Sequence, residues 1–443
     1  MLFHICTFLL MNLASQFSAM GQNTYSLSDC IKIATEGNAQ VKHTLTNVDI
    51  ADEAKKGSVY SFIPSLSLSN QHNLSTGRVL DPTTYQFVTN RTVYDMSATV
   101  GGSMTLFAGG ERIYQVQKAK QNLQVALLET ERVRNDLELN ITALFLNLVL
   151  DKEAIRVCES KLDLLRKQEE LISKKVEYQA ATPGDLLGIQ ADVTAAHVDL
   201  ATAHSNFDLD RIAMCEQLEM DDWRAFDIST EDQDFDEIQP RMWVSSDLTQ
   251  SAFALPQIRQ RELAIEMAAR DVSIAAASFW PTVRLNAGYG STYSDARVRL
   301  NGEEYSFRDQ FRDNMSSYVT LSLSVPILSA ITVSNNVRQR KLAYTRAGYE
   351  LTQAKLALDK EVKQALVQAD AAYEKYLLLE TDVEKCREAL RQAERKYDAG
   401  AATYYDYQIA VGNLYQAESQ RLRVKYEYIF RTRILDFYAG RSR

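Results

Sequence analysis

Two spacings of apolar residues divide this chain of 443 residues. In the longer segments apolar positions recur every three and four residues: Leu137, Ile141, Leu144, Leu148, Ile155, Cys158, Leu162, Leu165, Ile172 and Val176 in one, and Leu366, Ala369, Tyr373, Tyr376, Val383, Cys386, Leu390, Ala393 and Tyr397 in another. That period marks helices with coiled-coil seams, running from Arg112 to Ala181 and from Val333 to Ala399. At 1.5 Å per residue each spans about 100 Å. In the shorter segments every second residue is apolar, as in strands. Val283, Leu285, Ala287, Tyr289 and Tyr293 alternate with Thr282, Arg284, Asn286, Gly288 and Gly290, and Val319, Leu321, Leu323 and Val325 with Thr320, Ser322 and Ser324. Met96, Ala98, Val100, Met104 and Leu106 likewise oppose Ser97, Thr99 and Ser103. Pro64 and Pro281 stop the helices that enter two of these strands.

The pattern occurs twice because the chain is a tandem duplication. Asn38 to Leu68 aligns without gaps on Leu255 to Leu285, bringing Pro64 onto Pro281, and Lys174 to Gln190 aligns on Arg395 to Val411, bringing Thr182 onto Thr403 and Asp185 onto Asp406. Each half reads helix, strand, loop, strand, very long helix, turn, helix. The first repeat covers 22–220, with strands near 64–74 and 94–107; the second covers 246–443, with strands near 281–293 and 317–326. An acidic linker, 221–245, joins them.

One face of each strand is greasy and the other polar, and strands of about 9 to 11 residues can cross a bilayer. A half-buried sheet in a soluble domain shows the same alternation. The context of long helices on either side favours the membrane, with the polar stretch Ser294 to Asn314 as a solvent loop. Four such strands cannot close a barrel, and an open edge in hydrocarbon leaves backbone groups unpaired. Several chains must then share one barrel, and three would give twelve strands.

Composition adds exclusions. An apolar fraction of 46% supports a large core, and a net charge of −9 without a dense basic run argues against nucleic acid as a partner. Only 7 prolines and 17 glycines agree with long uninterrupted elements. The apolar run from Leu2 to Leu13, followed by small residues, reads as a signal peptide over residues 1–21. The remaining Cys30, Cys158, Cys215 and Cys386 lie far apart in helical patterns, which leaves disulfides possible without indicating one. Phosphate-loop, zinc-helix and nucleophile-elbow motifs are missing from the sequence, so catalytic residues, metal ligands and cofactors are not expected and the chain reads as no enzyme. His197 and His204 share a helix face without a ligand cluster, and the acidic run Glu231 to Glu237 lacks the glycine of a calcium loop.

The duplicated halves, the Ser-Phe-x-Pro entry to the strands at Ser61 and Ser278, "LFAGGER" (Leu106 to Arg112) and "DAGAATYYDY" (Asp398 to Tyr407) together resemble the TolC family of outer membrane efflux proteins over nearly the whole chain. The resemblance implies a mainly α fold with transmembrane β: a homotrimer whose four strands per chain build one 12-stranded barrel in outer membrane lipid. Long helical hairpins would form a periplasmic α-barrel, gated at its tips. A periplasmic adaptor (membrane fusion) protein and an inner-membrane pump of RND or ABC type would be partners, and cargo would pass chemically unchanged. It also assigns residues. Asp406, six residues after Gly400, matches an aspartate lining the closed entrance; Tyr397 and Asp185 match a tyrosine and aspartate that tie the hairpins together. Tyr404 and Tyr405 are candidates for an aromatic constriction beside the tip turns Thr182, Pro183, Gly184, Gly400 and Thr403, with helix capping the other role for Asp185 and Asp406. Phe62, Phe107 and Trp280 are candidates for an aromatic girdle. The family's gate arginine falls on Ala402, its second pore aspartate on Ile409 and its first-tip glycine on Gln179, so the gate must be locked differently here. A secreted soluble coiled-coil scaffold is the alternative.

Overall fold

The computed structural model describes residues 23–80, 87–229, 238–299, 303, 305–328 and 330–441. The signal segment and the acidic run Glu231 to Glu237 lie outside them. The elements in order are β1 (Asn23–Tyr25), α1 (Leu27–Gly37), α2 (Ala39–Tyr60), β2 (Ser65–Leu80), β3 (Phe87–Ala108), α3 (Glu111–Glu177), α4 (Pro183–Leu218), β4 (Phe226–Ile228), α5 (Ser245–Ala252), α6 (Pro256–Ala277), β5 (Thr282–Ser294), α7 (Phe307–Asp313), β6 (Ser316–Ser324), α8 (Ala330–Asp398) and α9 (Tyr404–Tyr438). No helix among the described residues is long and apolar enough to cross a membrane.

The chain forms two compact units that cut across the sequence repeats. One takes residues up to 45, 128–259 and 353–443; the other takes 46–127 and 260–352. Each unit therefore draws on both repeats, because the paired strands of one repeat join those of the other in a single sheet.

In the first unit two antiparallel helical hairpins, α3–α4 and α8–α9, carry the seams. Lys161 reaches Asp199 at 2.8 Å across the first hairpin, and Arg387 reaches Glu418 at 3.0 Å across the second. In α8 the buried positions are Leu358, Val362, Ala365, Ala369, Ala372, Tyr376 and Val383, in alternating steps of four and three up to Tyr376 and then a full heptad. Leu366 and Tyr373, expected in the seam, flank it instead. The alanines beside them take it because a small side chain lets the helices approach closely. A second core surrounds Phe145, Ile141, Met214 and Cys215, where the short parallel pair β1–β4 stacks Tyr25 on Phe226 with ring centroids 5.3 Å apart. The four cysteines from Cys30 onward are free thiols. Asp151 on α3 and Asp210 on α4 both have raised carboxyl pKa values, chiefly from burial, and Asp151 is pushed up to about 6 with its partner's charge adding to the effect.

The second unit holds one antiparallel sheet in the order β2-β3-β5-β6. Its register confirms the alternation across every pair: Leu68 opposes Val100, Val100 opposes Tyr289, Leu285 opposes Leu321, and Val283 opposes Leu323. The apolar sets of all four strands thus share one face. Ser67, Gly101, Thr99, Asn286 and Thr320 share the other. The apolar face is uncovered for most of its extent, with Leu66, Leu68, Val319, Leu321 and Leu323 between 65 and 77% exposed. Two positions depart from simple alternation, one between Gly77 and Val79 in the β2–β3 pair and one in β3 beside β5. A register shift between Thr105 and Phe107 brings Phe107, rather than Leu106, opposite Val283. The first hairpin also exceeds the expected strand length: β2 and β3 have 16 and 22 residues and continue as a two-stranded ribbon beyond Asp95, where β5 ends at Ser294. The stretch Ser294 to Asn314, expected as a solvent loop, instead contains α7, folded onto the sheet with Gln310 fully buried.

Strand β3 turns into α3 through Gly109 and Gly110, at φ of 63° and 83°. A Cβ on Gly109 would lie 2.5 Å from the carbonyl oxygen of Ala277. Conformation and space both demand glycine, so Gly109→Ala is expected to lower stability by about 1–3 kcal/mol, read as a lower thermal midpoint by circular dichroism in detergent. For the acid pair, the folded-state pKa of Asp151 lies above its ordinary 3.8, so the stability it contributes is present below about pH 4 and is lost as pH rises through about 6. Asp151→Asn should raise the thermal midpoint at pH 7 and flatten its decline over that window; an unchanged pH profile would show that burial does not raise the Asp151 carboxyl.

Candidate gate at the helical tips

Each hairpin of the first unit ends in the same turn, built around a different left-handed residue. After α8, Gly400 takes φ of 71°, the amide of Gly400 donates to the Tyr397 carbonyl at 3.0 Å, and that of Ala401 donates to the Lys396 carbonyl at 2.8 Å. After α3, Gln179 takes φ of 56°, donates to Val176 at 3.0 Å, and Ala180 donates to Lys175 at 2.7 Å. This is the paired hydrogen-bond closure that ends many helices, in which a left-handed residue is normally glycine. The glycine lost at Gln179 has therefore not cost the first tip its turn; the long side chain occupies the left-handed region at some strain.

The helices that follow start identically. Thr182 and Thr403 are N-caps, with Asp185 and Asp406 three residues on. The Thr182 amide and hydroxyl donate to Asp185 Oδ2 at 3.0 and 2.8 Å, and those of Thr403 donate to Asp406 Oδ2 at 3.0 and 2.7 Å. The aspartate amides return bonds to the threonine Oγ1 at 3.2 Å in both. Two reciprocal capping boxes explain why the duplication repeats threonine and aspartate at this spacing. The hydrogen bonds from Thr403 hold the Asp406 carboxyl below the usual carboxylate range, so it stays charged at neutral pH. Pro183 occupies the first turn of α4, where its missing N–H costs nothing, and a Cβ on the neighbouring Gly184 would only touch Thr182 Oγ1 at an ordinary 3.5 Å.

Beneath these turns lies a tyrosine cluster. Tyr397 stacks near Tyr407 at 5.9 Å and meets Tyr404 edge-on at 6.1 Å, with the Lys175 ammonium 4.8 Å over its ring. Tyr404 is only 7% exposed, and its hydroxyl donates to Asp192 Oδ2 at 3.0 Å; Gln168 Nε2 donates to the Tyr407 hydroxyl at 2.8 Å. These contacts join the hairpin α8–α9 to α3–α4 within one chain. Burial pushes the Tyr404 and Tyr397 phenols up, takes Tyr407 to about 12, and raises the Asp192 carboxyl despite the bond from Tyr404.

The expected residues separate into two groups. Asp406 and Tyr405 are exposed, Tyr405 at 69%, with the exposed Ile409 beside them on the same side of α9. Tyr404 does not stand with Tyr405 as a constriction but packs inward. Tyr397 sits in the cluster, yet Asp185 is occupied by Thr182, and the tyrosine–aspartate bond between hairpins is made by Tyr404 and Asp192 instead. Asp192, Gln168, Lys175 and Tyr407 escaped sequence reading.

A family model described as outer membrane efflux protein matches residues 250–441. Over that stretch the chain is similar to outer membrane efflux proteins. The outer membrane protein TolC of Vibrio cholerae is 25% identical over 202 residues, covering 43% of this chain and 44% of that protein. The alkaline protease secretion protein AprF of Pseudomonas aeruginosa is 22% identical over 329 residues, 72% of this chain and 65% of that one. The alignments thus span less than two thirds of either relative. A solved structure of CusC, described with transmembrane channel formation, matches with a TM-score of 0.79 at 15% identity, covering 95% of this chain and 93% of CusC. The chain has the fold of outer membrane channels, not of an enzyme, and the outer membrane is its location.

Removing the Tyr404 hydroxyl leaves a half-buried Asp192 carboxylate without its donor. Tyr404→Phe is expected to destabilise by about 1 kcal/mol, with the loss greatest at neutral pH and shrinking as acid protonates Asp192. A thermal-melt series across pH checks this; an equal loss at every pH would mean that only packing is at stake.

Proposed function

We propose that this chain is the passive exit duct of a tripartite efflux or secretion system, assembled as a homotrimer in the outer membrane with its helical barrel in the periplasm. The observation that carries the reading is the four-stranded sheet, whose register gathers an exposed apolar face while the outer edges of β2 and β6 lack strand partners among the described residues. In hydrocarbon such edges must pair. Three copies of four strands make a closed twelve, wide enough for a lumen lined by the serine- and threonine-rich face. Exposed Leu356, Val367 and Leu378 on α8 and Leu187, Val198 and Leu209 on α4 supply further apolar surface for subunit contacts.

The aromatic girdle is read at the end of the sheet where the helices attach. There Phe107 and Trp280 meet edge-on at 6.5 Å, and Arg112 lies 5.9 Å from the exposed Phe62 ring. The gate is read at the second tip. Three copies of Asp406 around an axis would form a charged ring favouring cations, while Tyr404, Tyr407, Gln168 and Asp192 hold the hairpins together in place of the missing arginine. The same tips would receive the adaptor protein, and an RND or ABC pump beneath it would select the cargo. The kinship to AprF supports polypeptide export as one form of that cargo, and the match to the efflux family supports small molecules as another.

Single-channel recording from detergent-extracted protein in a planar bilayer tests both parts. The expected result is a small cation-preferring conductance blocked by divalent cations from the tip side, with Asp406→Asn reducing the block and raising the current. Conductance indifferent to that change would keep the duct and leave Asp406 as a helix cap. Protein that is soluble without detergent and inserts nowhere would favour the coiled-coil scaffold.

A further inference from the structure

The helix α7 lies on the face of the sheet that should be bare. The Ser291 hydroxyl donates to the Phe311 carbonyl at 2.6 Å, the Phe307 ring meets Tyr293 at 5.1 Å, and the Tyr289 hydroxyl lies 2.9 Å from Met315 Sδ. Ser291, Tyr293 and Tyr289 pair with Ala98, Met96 and Val100, so all stand on the apolar face. A shallow cavity of about 190 Å³ between Leu68, Val100, Tyr289, Phe311 and Met315 marks where α7 overhangs that face.

The seat is a built one. The fully buried Gln310 accepts from the Ser294 amide at 3.1 Å and donates to the carbonyls of Ser294 and Tyr305 at 2.9 and 2.7 Å, clasping the helix to the last residue of β5. Arg297 donates to Asn314 at 2.7 Å, and Asn314 donates to the Thr292 carbonyl at 2.7 Å. Phe307 and Met315 nevertheless stay about half exposed. The charges of the segment neutralise one another locally, Arg299 with Asp309 at 2.8 Å and Arg312 with Asp313 at 2.9 Å. A polyanionic partner would find little net positive charge here. A greasy, neutral and partly wet zone suits it better.

Resting on the reading of this sheet as the lipid-facing wall of a barrel, we propose that α7 is an interfacial anchor. It lies in the boundary between acyl chains and headgroups at the end of the barrel remote from the helices, with Phe307, Phe311 and Met315 turned to lipid. The strand positions agree. Val283 at the near end and Tyr293 beside α7 are ten residues apart along β5, about 33 Å of strand, which a tilted strand converts to the thickness of an apolar core. Aromatic side chains then stand at both boundaries: Phe62, Phe107 and Trp280 at one, and Tyr94, Tyr293, Phe307 and Phe311 at the other. Rings with polar surroundings settle at such depths.

The test uses nitroxide labels in the full chain, with Cys158 and Cys386 replaced by serine, in vesicles of phosphatidylcholine and phosphatidylglycerol. Collisions with dissolved oxygen report lipid, and collisions with a water-soluble nickel chelate report solvent. A label at Leu321→Cys probes the wall of the sheet, and one at Phe307→Cys probes α7. Oxygen-dominated collisions at both positions are expected, shallower at Phe307. Oxygen at Leu321 with chelate at Phe307 would overturn the anchor while leaving the barrel intact. Chelate at Leu321 would remove the lipid-facing wall and the anchor with it.

Discussion

An unpaired strand edge cannot be left in hydrocarbon, and much of this chain is arranged around that rule. Its one large sheet has four strands, a mainly apolar face and a mainly polar face. In water the apolar face would be the fault; in lipid the edges are. In the proposed trimer, closing the sheet with copies of itself answers the edges, and lipid answers the face. The glycine pair after β3 serves the same end, since Gly109 fits against the end of α6 only without a side chain and so lets strand and helix leave one end of the sheet at close quarters.

Much of this was legible because the relevant physics is periodic. A two-residue alternation survives in β2, β3, β5 and β6 regardless of tertiary detail, and a heptad seam survives in α3 and α8 for the same reason. The duplication doubled each signal. What escaped was aperiodic. The register shift at Leu106 exchanges which residue meets Val283, and no single-strand pattern records a bulge. The seam of α8 runs through Ala365 and Ala372, residues too small to stand out beside Leu366 and Tyr373.

The tips illustrate a different limit. Glycine at the first tip was sought as a residue type, but the turn is defined by backbone conformation and two hydrogen bonds, which Gln179 satisfies as Gly400 does. Likewise the tyrosine–aspartate contact between hairpins exists, made by Tyr404 and Asp192 rather than by Tyr397 and Asp185. A function held by geometry can move to neighbouring residues, provided the helix face and spacing are kept. Residue-by-residue transfer therefore identifies the place more securely than the atoms.

Capping and gating need not compete for Asp406. The capping box fixes its carboxylate at the start of α9 and, by donating hydrogen bonds to the charged form, keeps it ionised. A mobile carboxylate facing two symmetry-related copies would tend to take up a proton to escape repulsion. One held by Thr403 resists that, so the bonds that end the helix cleanly are also those that would keep a ring of charge in place at a closed entrance. The equivalent Asp185 has the same bonds but sits half-buried within its own chain. Exposure, not local bonding, is what distinguishes the two, and it is exposure that makes the second tip the place to look for a gate.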